Sequence, residues 1–279
     1  MSGTLFVVGT PIGNLGDLSP RALETLADCD FIAAEDTRVT LKLLNHFGVK
    51  KPLVSYYEHN RRERGSEILS RILAGENCAV VTDAGMPAIS DPGEDLVRLC
   101  REHGVPVCAV PGPCAFAAAL AISGMPSGRF TFEGFLSVSR RSRNAHLEEL
   151  KNETRTMIFY EAPHKLPATL RDMYAVFGER EIAIVREITK IYEEVVRTTF
   201  SKAIARCETQ PFKGEIVLIV AGAPKPEPEA VTPERACEEA AALIDGGMSP
   251  TDAAKQIAKT YGMKKGDIYK ALTQRTENA

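Results

Sequence analysis

Apolar and polar positions along this 279-residue chain follow two periods. Short apolar runs rich in β-branched residues, at 4–8, 31–34, 53–56, 78–81 and 105–110, predict buried strands. Between them apolar residues recur at helical spacing: Ala22, Leu23 and Leu26 behind Ser19-Pro20, then 41–47 stopped by Gly48. The same spacing returns in Ile68, Leu69, Ile72 and Leu73 before Gly75, and in Leu96, Val97, Leu99 and Cys100 before Gly104. Strand and helix in alternation predict parallel βαβ units with right-handed crossovers.

The pattern changes after Pro111-Gly112-Pro113. A small-residue helix is expected over 114–122, and 129–135 alternates as a strand in a more exposed, mixed sheet would. Arg140, Arg141 and Arg143 follow in what reads as a Ser-rich loop. Further strands are expected at 157–160, 182–185, 195–200 and 216–220, with helices over 166–177 and 202–207. The stretch 223–232, with Pro224, Pro226 and Pro228, reads as a linker. Beyond it the chain is helical: Ser249-Pro250-Thr251-Asp252 starts a helix, Gly262 stops it, and 264–272 forms another. The fold class is therefore α/β, with an N-terminal α/β domain at 1–113, a second at 114–224, and a linker with a small helical domain at 225–279.

Charge sharpens only the tail. The whole chain carries a net −3, so no global field points to nucleic acid or membrane. From Met248 to Arg275, however, six basic residues (Lys255, Lys259, Lys264, Lys265, Lys270 and Arg275) face two acids, Asp252 and Asp267. Two short basic helices about a glycine resemble a helix-turn-helix, and a solvated capping hairpin fits as well. Seven cysteines without a C-x-x-C pair, mostly in apolar runs, fit buried thiols in a reducing compartment. With no charged leader and no long apolar span, the expectation is a cytoplasmic protein that does not enter a membrane.

Chemistry concentrates at the predicted strand ends. The densest turn is Thr82-Asp83-Ala84-Gly85-Met86-Pro87-Ala88-Ile89-Ser90-Asp91-Pro92-Gly93, a binding loop in which Asp91-Pro92 reads as the cap and first turn of the next helix. Gly9 to Asp17 is a second glycine and proline loop, though neither a dinucleotide fingerprint nor a P-loop. Glu35-Asp36-Thr37-Arg38 sets two carboxylates beside a guanidinium, where capping by Asp36 or Thr37 competes with a chemical role. His59 stands in a polar loop before Arg61, Arg62 and Arg64, as consistent with plain surface as with function. Five histidines and seven cysteines show no metal-ligand spacing.

As a set, Gly9-Thr10-Pro11-Ile12-Gly13-Asn14-Leu15-Gly16-Asp17, Ala34-Glu35-Asp36-Thr37-Arg38, Asp83 to Gly93, Pro111-Gly112-Pro113-Cys114-Ala115 and Glu133-Gly134-Phe135-Leu136 resemble the bacterial 16S rRNA (cytidine-2′-O)-methyltransferases. These belong to the tetrapyrrole methylase, or class III, superfamily, and the resemblance covers nearly the whole chain. It implies two α/β domains with S-adenosylmethionine in the cleft between them, a homodimer, and the small ribosomal subunit as partner. The cofactor contacts it implies are Pro11, Asp83, Gly85, Met86, Pro87, Ile89, Ser90, Cys114, Ala115, Leu136, Glu161, Val220 and Ala221. Met86 stands where the family more often has threonine, which takes a hydroxyl out of the loop. A base near a ribose hydroxyl would aid its attack, and Asp36, Glu35, His59 and Lys190 are the candidates. Arg38, Arg61, Arg62, Arg140, Arg141, Arg143, Lys264 and Lys265 are candidates for RNA phosphates. A tetrapyrrole-precursor methyltransferase is the main alternative, and a regulatory protein without catalysis is another.

Overall fold

Period-two alternation in the first strands sends side chains to opposite faces of one sheet. In β1 (Leu5–Val8), β2 (Phe31–Ala34) and β4 (Cys78–Val81), the residues Leu5, Val7, Phe31, Ala33, Cys78 and Val80 bury against α3 (Arg61–Leu73) and α4 (Glu94–Glu102). Their neighbours Val8, Ile32, Ala34, Ala79 and Val81 bury against α1 (Pro20–Asp28) and α2 (Thr37–His46). With β3 (Leu53–Ser55) and β5 (Val107–Val110) the strands run in parallel, ordered β3-β2-β4-β1-β5. β5 is an edge strand, which leaves Cys108 exposed, whereas Cys29, Cys78 and Cys100 are buried.

This order creates a switch point. From β1 the chain crosses toward β2, while from its neighbour β4 it crosses toward β5. The loops leaving these adjacent strands diverge, and a crevice opens at the carboxyl ends of the strands. Thr10 and Gly85 tie the two loops together by reciprocal backbone hydrogen bonds of 2.9 and 3.1 Å.

The computed structural model describes residues 2–224 and 232–277. The chain divides into two compact units, Met1–Ala223 and Pro224–Ala279. The first unit holds, besides the parallel sheet, a mixed one of β6 (Phe130–Phe135), β7 (Thr156–Glu161), β10 (Ile216–Val220), β8 (Glu181–Arg186) and β9 (Glu194–Thr199), in that spatial order. β10 runs antiparallel to β7 and β8. One face packs on α5 (Ala115–Ser123), the other on α6 (Arg140–Glu149), α7 (Leu166–Phe177) and α8 (Phe200–Thr209).

Two local expectations are corrected. Arg140, Arg141 and Arg143 lie on α6 and not in a loop; this helix buries only Leu147, so apolar periodicity could not reveal it. Leu147 joins the core that α7 also lines, and an ion pair adds to that hold, with Arg143 Nη2 2.6 Å from Asp172 Oδ2. Asp91 does not cap α4, which begins at Glu94 behind Gly93 (φ 140°). The loop instead folds back on itself, the Ala88 amide donating to the Pro92 carbonyl at 3.2 Å.

The second unit packs α9 (Pro233–Asp245), α10 (Pro250–Tyr261) and α11 (Lys265–Glu277) around Ala236, Cys237, Ala240, Ala254, Ile257, Ala258, Ile268 and Leu272. Ser249 caps α10 through the Asp252 amide, and Gly262 ends it in the left-handed region (φ 64°). Most of the expected linker lies outside the described residues.

Candidate active site

Four residues other than glycine adopt positive φ among the described residues: Ala88 (68°), Ser90 (62°), Glu187 (52°) and Thr189 (68°). Such conformations cost of order 1–3 kcal/mol each and persist where the surroundings impose them. Both pairs border one cavity of about 390 Å³. Its walls come from the two sheets' ends and loops: Ile12 after β1, Ala84, Gly85, Met86, Ile89, Ser90 and Asp91 after β4, Cys114 and Ala115, Phe135 at the end of β6, Tyr160 to Pro163 at and just past the end of β7, Ile188 after β8, and Gly214 to Val217 entering β10. Close backbone approach at its back is enforced by glycine. A Cβ on Gly9 would fall 2.7 Å from Gly112 Cα, and one on Gly112 would fall 2.8 Å from Gly9 Cα.

The lining is apolar with few polar groups, each in a distinct state. Burial, then Glu35 and Asp83, push the Asp91 carboxyl up to about 6. Burial likewise holds the Tyr160 phenol near 12, and its oxygen accepts from the Phe116 amide at 3.3 Å. Glu161 is nearly buried and its oxygens accept from the Ala162 amide at 2.8 Å and the Thr169 hydroxyl.

A second cavity, of about 540 Å³, abuts the first across Ile12, Ala84 and Glu215. Thr10, Pro11 and Gly13 line it from the β1 loop, Val39, Lys42, Leu43 and His46 from α2, and Thr82, Asp83 and Lys190 complete it. Lys190 bridges Glu187 Oε1 and Glu215 Oε2, each at 3.0 Å. Burial pulls its pKa down, but the two carboxylates outweigh this and hold the ammonium above the usual lysine range. Asp83 is pushed up by burial and by Glu35.

A family model described as Tetrapyrrole (Corrin/Porphyrin) Methylases matches residues 4–204. The chain belongs to this family. Within it, a protein named Ribosomal RNA small subunit methyltransferase I from Synechocystis sp. is 45% identical over 268 residues, 96% of each chain. A protein of that name from Pseudomonas aeruginosa is 43% identical over 280 residues, 98% of each. One from Thermotoga maritima is 47% identical over 220 residues, which is 99% of its length but 79% of this chain. A relative of that name therefore lacks the length of a second unit. Solved cobalt precorrin-4 methyltransferase shares the fold, with TM-score 0.59 at 17% identity over 78% of this chain and 94% of its own.

Within this family fold, the expected cofactor contacts divide. Gly85, Met86, Ile89, Ser90, Cys114, Ala115 and Glu161 line the first cavity. Pro11 and Asp83 line the second. Pro87 lines neither, and Leu136 turns its side chain into the core beside Leu147 while Phe135 forms the wall. Val220 and Ala221 are misplaced: because β10 runs antiparallel to its neighbours, its amino end faces the cavity, and Val220 pairs with Met157 and Ile182 at the far end.

Of the four candidate bases, only Lys190 lines either of these two cavities, and it does so as a cation. Asp36 caps α2 and is held at about 2 by hydrogen bonding from Arg38. Glu35 accepts from the Thr82 hydroxyl and the Asp83 amide, joining β2 to β4. His59 sits in neither cavity, beside Arg61 and Arg62. Among the phosphate candidates, Arg38 is tied to Asp36, Arg61 to Asp95 and Arg143 to Asp172, while Arg62, Arg141, Lys264 and Lys265 are exposed. Sequence reasoning missed Asp91 as a cavity residue, along with Tyr160, Glu215, Lys42 and His46. The sequence signal for Asp91, Tyr160, Glu215 and His46 was position at a strand end, a helix end or in a turn, whereas Lys42 lies inside α2 and had none.

Proposed function

We propose that the first cavity holds S-adenosylmethionine and the second an RNA nucleotide, and that the protein methylates the ribose 2′-hydroxyl of a decoding-centre cytidine in 16S rRNA. What supports this is the contact of an apolar cavity with a polar one, lined by both lysines and carboxylates, across Ile12, Ala84 and Glu215. The Gly85–Ser90 loop, Met86, Ile89, Cys114 and Ala115 suit an adenosine and a thioether, and Asp91 suits a cationic group beside them. A solved uroporphyrin-III C-methyltransferase of the same fold is described as complexed with S-adenosylhomocysteine. Bound S-adenosylmethionine supplies an electrophilic methyl group on a sulfonium.

Most of the acceleration comes from alignment and exclusion of water, which rigid loops provide. Lys42 and His46 suit the phosphates of an incoming nucleotide. Asp83 replaces Asp36 as our candidate acceptor for the hydroxyl proton, since it lines the acceptor cavity with a raised pKa. A homodimer acting in the cytoplasm on the small subunit completes the reading. No helix among the described residues is long and apolar enough to cross a membrane.

The decisive experiment is transfer of labelled methyl from S-adenosylmethionine to small ribosomal subunits lacking the modification, followed by nucleoside mass spectrometry. Label in 2′-O-methylcytidine is expected, and Asp83→Asn should lower kcat by about a hundredfold while cofactor affinity stays within about twofold. Label on no RNA, with the cofactor bound, would overturn the reading.

A further inference from the structure

The connection from β8 to β9 is braced along its length. The Glu187 amide donates to the Glu215 carbonyl at 3.0 Å, the Lys190 amide to the Glu187 carbonyl at 3.0 Å, and the Glu193 amide to the Lys190 carbonyl at 3.1 Å. The Thr189 amide donates to Glu193 Oε2 at 2.7 Å, and Lys190 clamps Glu187 and Glu215. Two residues in this connection are held at positive φ. At the tip of so constrained a loop stand Ile191, 94% exposed, and Tyr192, 73% exposed. Neither belongs to an apolar cluster, and Tyr192 has no aromatic partner among the described residues.

A rigid turn that presents two large apolar side chains to water is shaped for something outside the chain. Its position says what. Ile188 of the same loop lines the first cavity and Lys190 the second, so the tip follows directly on a segment that lines both cavities. Two side chains are far too few for a stable protein interface, which takes roughly 800 Å² per partner. One tyrosine face with one aliphatic neighbour matches one unstacked base.

Resting on the proposed RNA reading, we propose that Ile191 and Tyr192 form a stacking wedge that takes a base of the RNA strand out of its stack and so delivers the neighbouring ribose to the second cavity. Tyr192 and Ile191 touch substrate in this scheme but exchange no atoms with it.

The test compares the full chain with Tyr192→Ala, Tyr192→Phe and Ile191→Ala. Methyl transfer to unmodified small subunits, S-adenosylmethionine affinity by calorimetry and mass by light scattering are measured for each. Tyr192→Ala should raise KM for the subunit about tenfold or more, Ile191→Ala less, and Tyr192→Phe should stay near wild type because a ring suffices. Cofactor affinity and mass should not move. A short decoding-region RNA carrying 2-aminopurine beside the target should brighten on binding wild type and stay dim with Tyr192→Ala, a signal that does not depend on turnover. Unchanged KM and fluorescence in Tyr192→Ala would overturn the wedge, and a change of mass in that variant would identify the tip as a contact between copies. Failure of wild type to methylate any RNA would instead count against the RNA reading itself.

Discussion

The side chain of Lys190 lies directly across Gly13. A Cβ built on Gly13 would sit 2.6 Å from Lys190 Cγ and 2.7 Å from Cε, and Gly13 itself has φ 144°. The β1 loop thus leaves a bare backbone so that an ammonium from the second sheet can reach the cavity between them.

Gly13→Ala should therefore expel Lys190 and strain the loop. Stability should fall by about 1–2 kcal/mol, read as Tm. Methyl transfer should drop more than stability accounts for, by about tenfold or more, because a displaced positioning group costs rate steeply. Retention of full kcat/KM in a folded variant would show that Lys190 is dispensable.

Asp91 makes the protein sensitive to pH. Its carboxyl, ordinarily near 3.8, is raised to about 6 in the folded state. The folded protein keeps a proton that the unfolded chain releases, so stability falls as pH rises through the window between these values. Asp91→Asn should flatten that slope and add about 1–2 kcal/mol near neutrality after allowance for solvent screening. S-adenosylmethionine is a cation, so its affinity should rise with pH through the same window in wild type and stay level in the variant. Calorimetry on either side of that window measures both.

Arg143 and Arg141 share a helix but not a role. Arg143, 13% exposed in its side chain, pairs with Asp172, 10% exposed, and also donates to the Ser137 carbonyl at 3.1 Å. Arg143→Ala leaves Asp172 between α6 and α7 with the more exposed and more distant Arg140, 3.6 Å from its Oδ1, and should cost about 1–3 kcal/mol in chemical denaturation. Arg141→Ala should leave stability within about 0.5 kcal/mol. Equal loss in both would contradict the pairing.

The chain's own pattern determined the repeating units. Strands at 31–34, 78–81 and 216–220 are found at the expected bounds, because a run of β-branched and small apolar residues between turns is buried on both faces however the sheet is ordered. It also determined where chemistry gathers, since Gly9 to Gly13 and Asp83 to Gly93 had to form loops whatever lay beside them. Tertiary structure decided what local pattern cannot encode. The reversed direction of β10 brought Gly214 to Val217 to the cavity and sent Val220 and Ala221 away, and strand direction is a property of pairing, not of a single strand's sequence. The fold of the 88–92 turn released Asp91 from capping, and α6 is held by Leu147 in the core and an ion pair with α7 where apolar spacing was absent. Lys190 acquired its role only by meeting Gly13, a residue 177 positions earlier in the chain. Contacts between distant segments set burial and charge balance, and those in turn set which carboxylate keeps its proton and which amine keeps its charge.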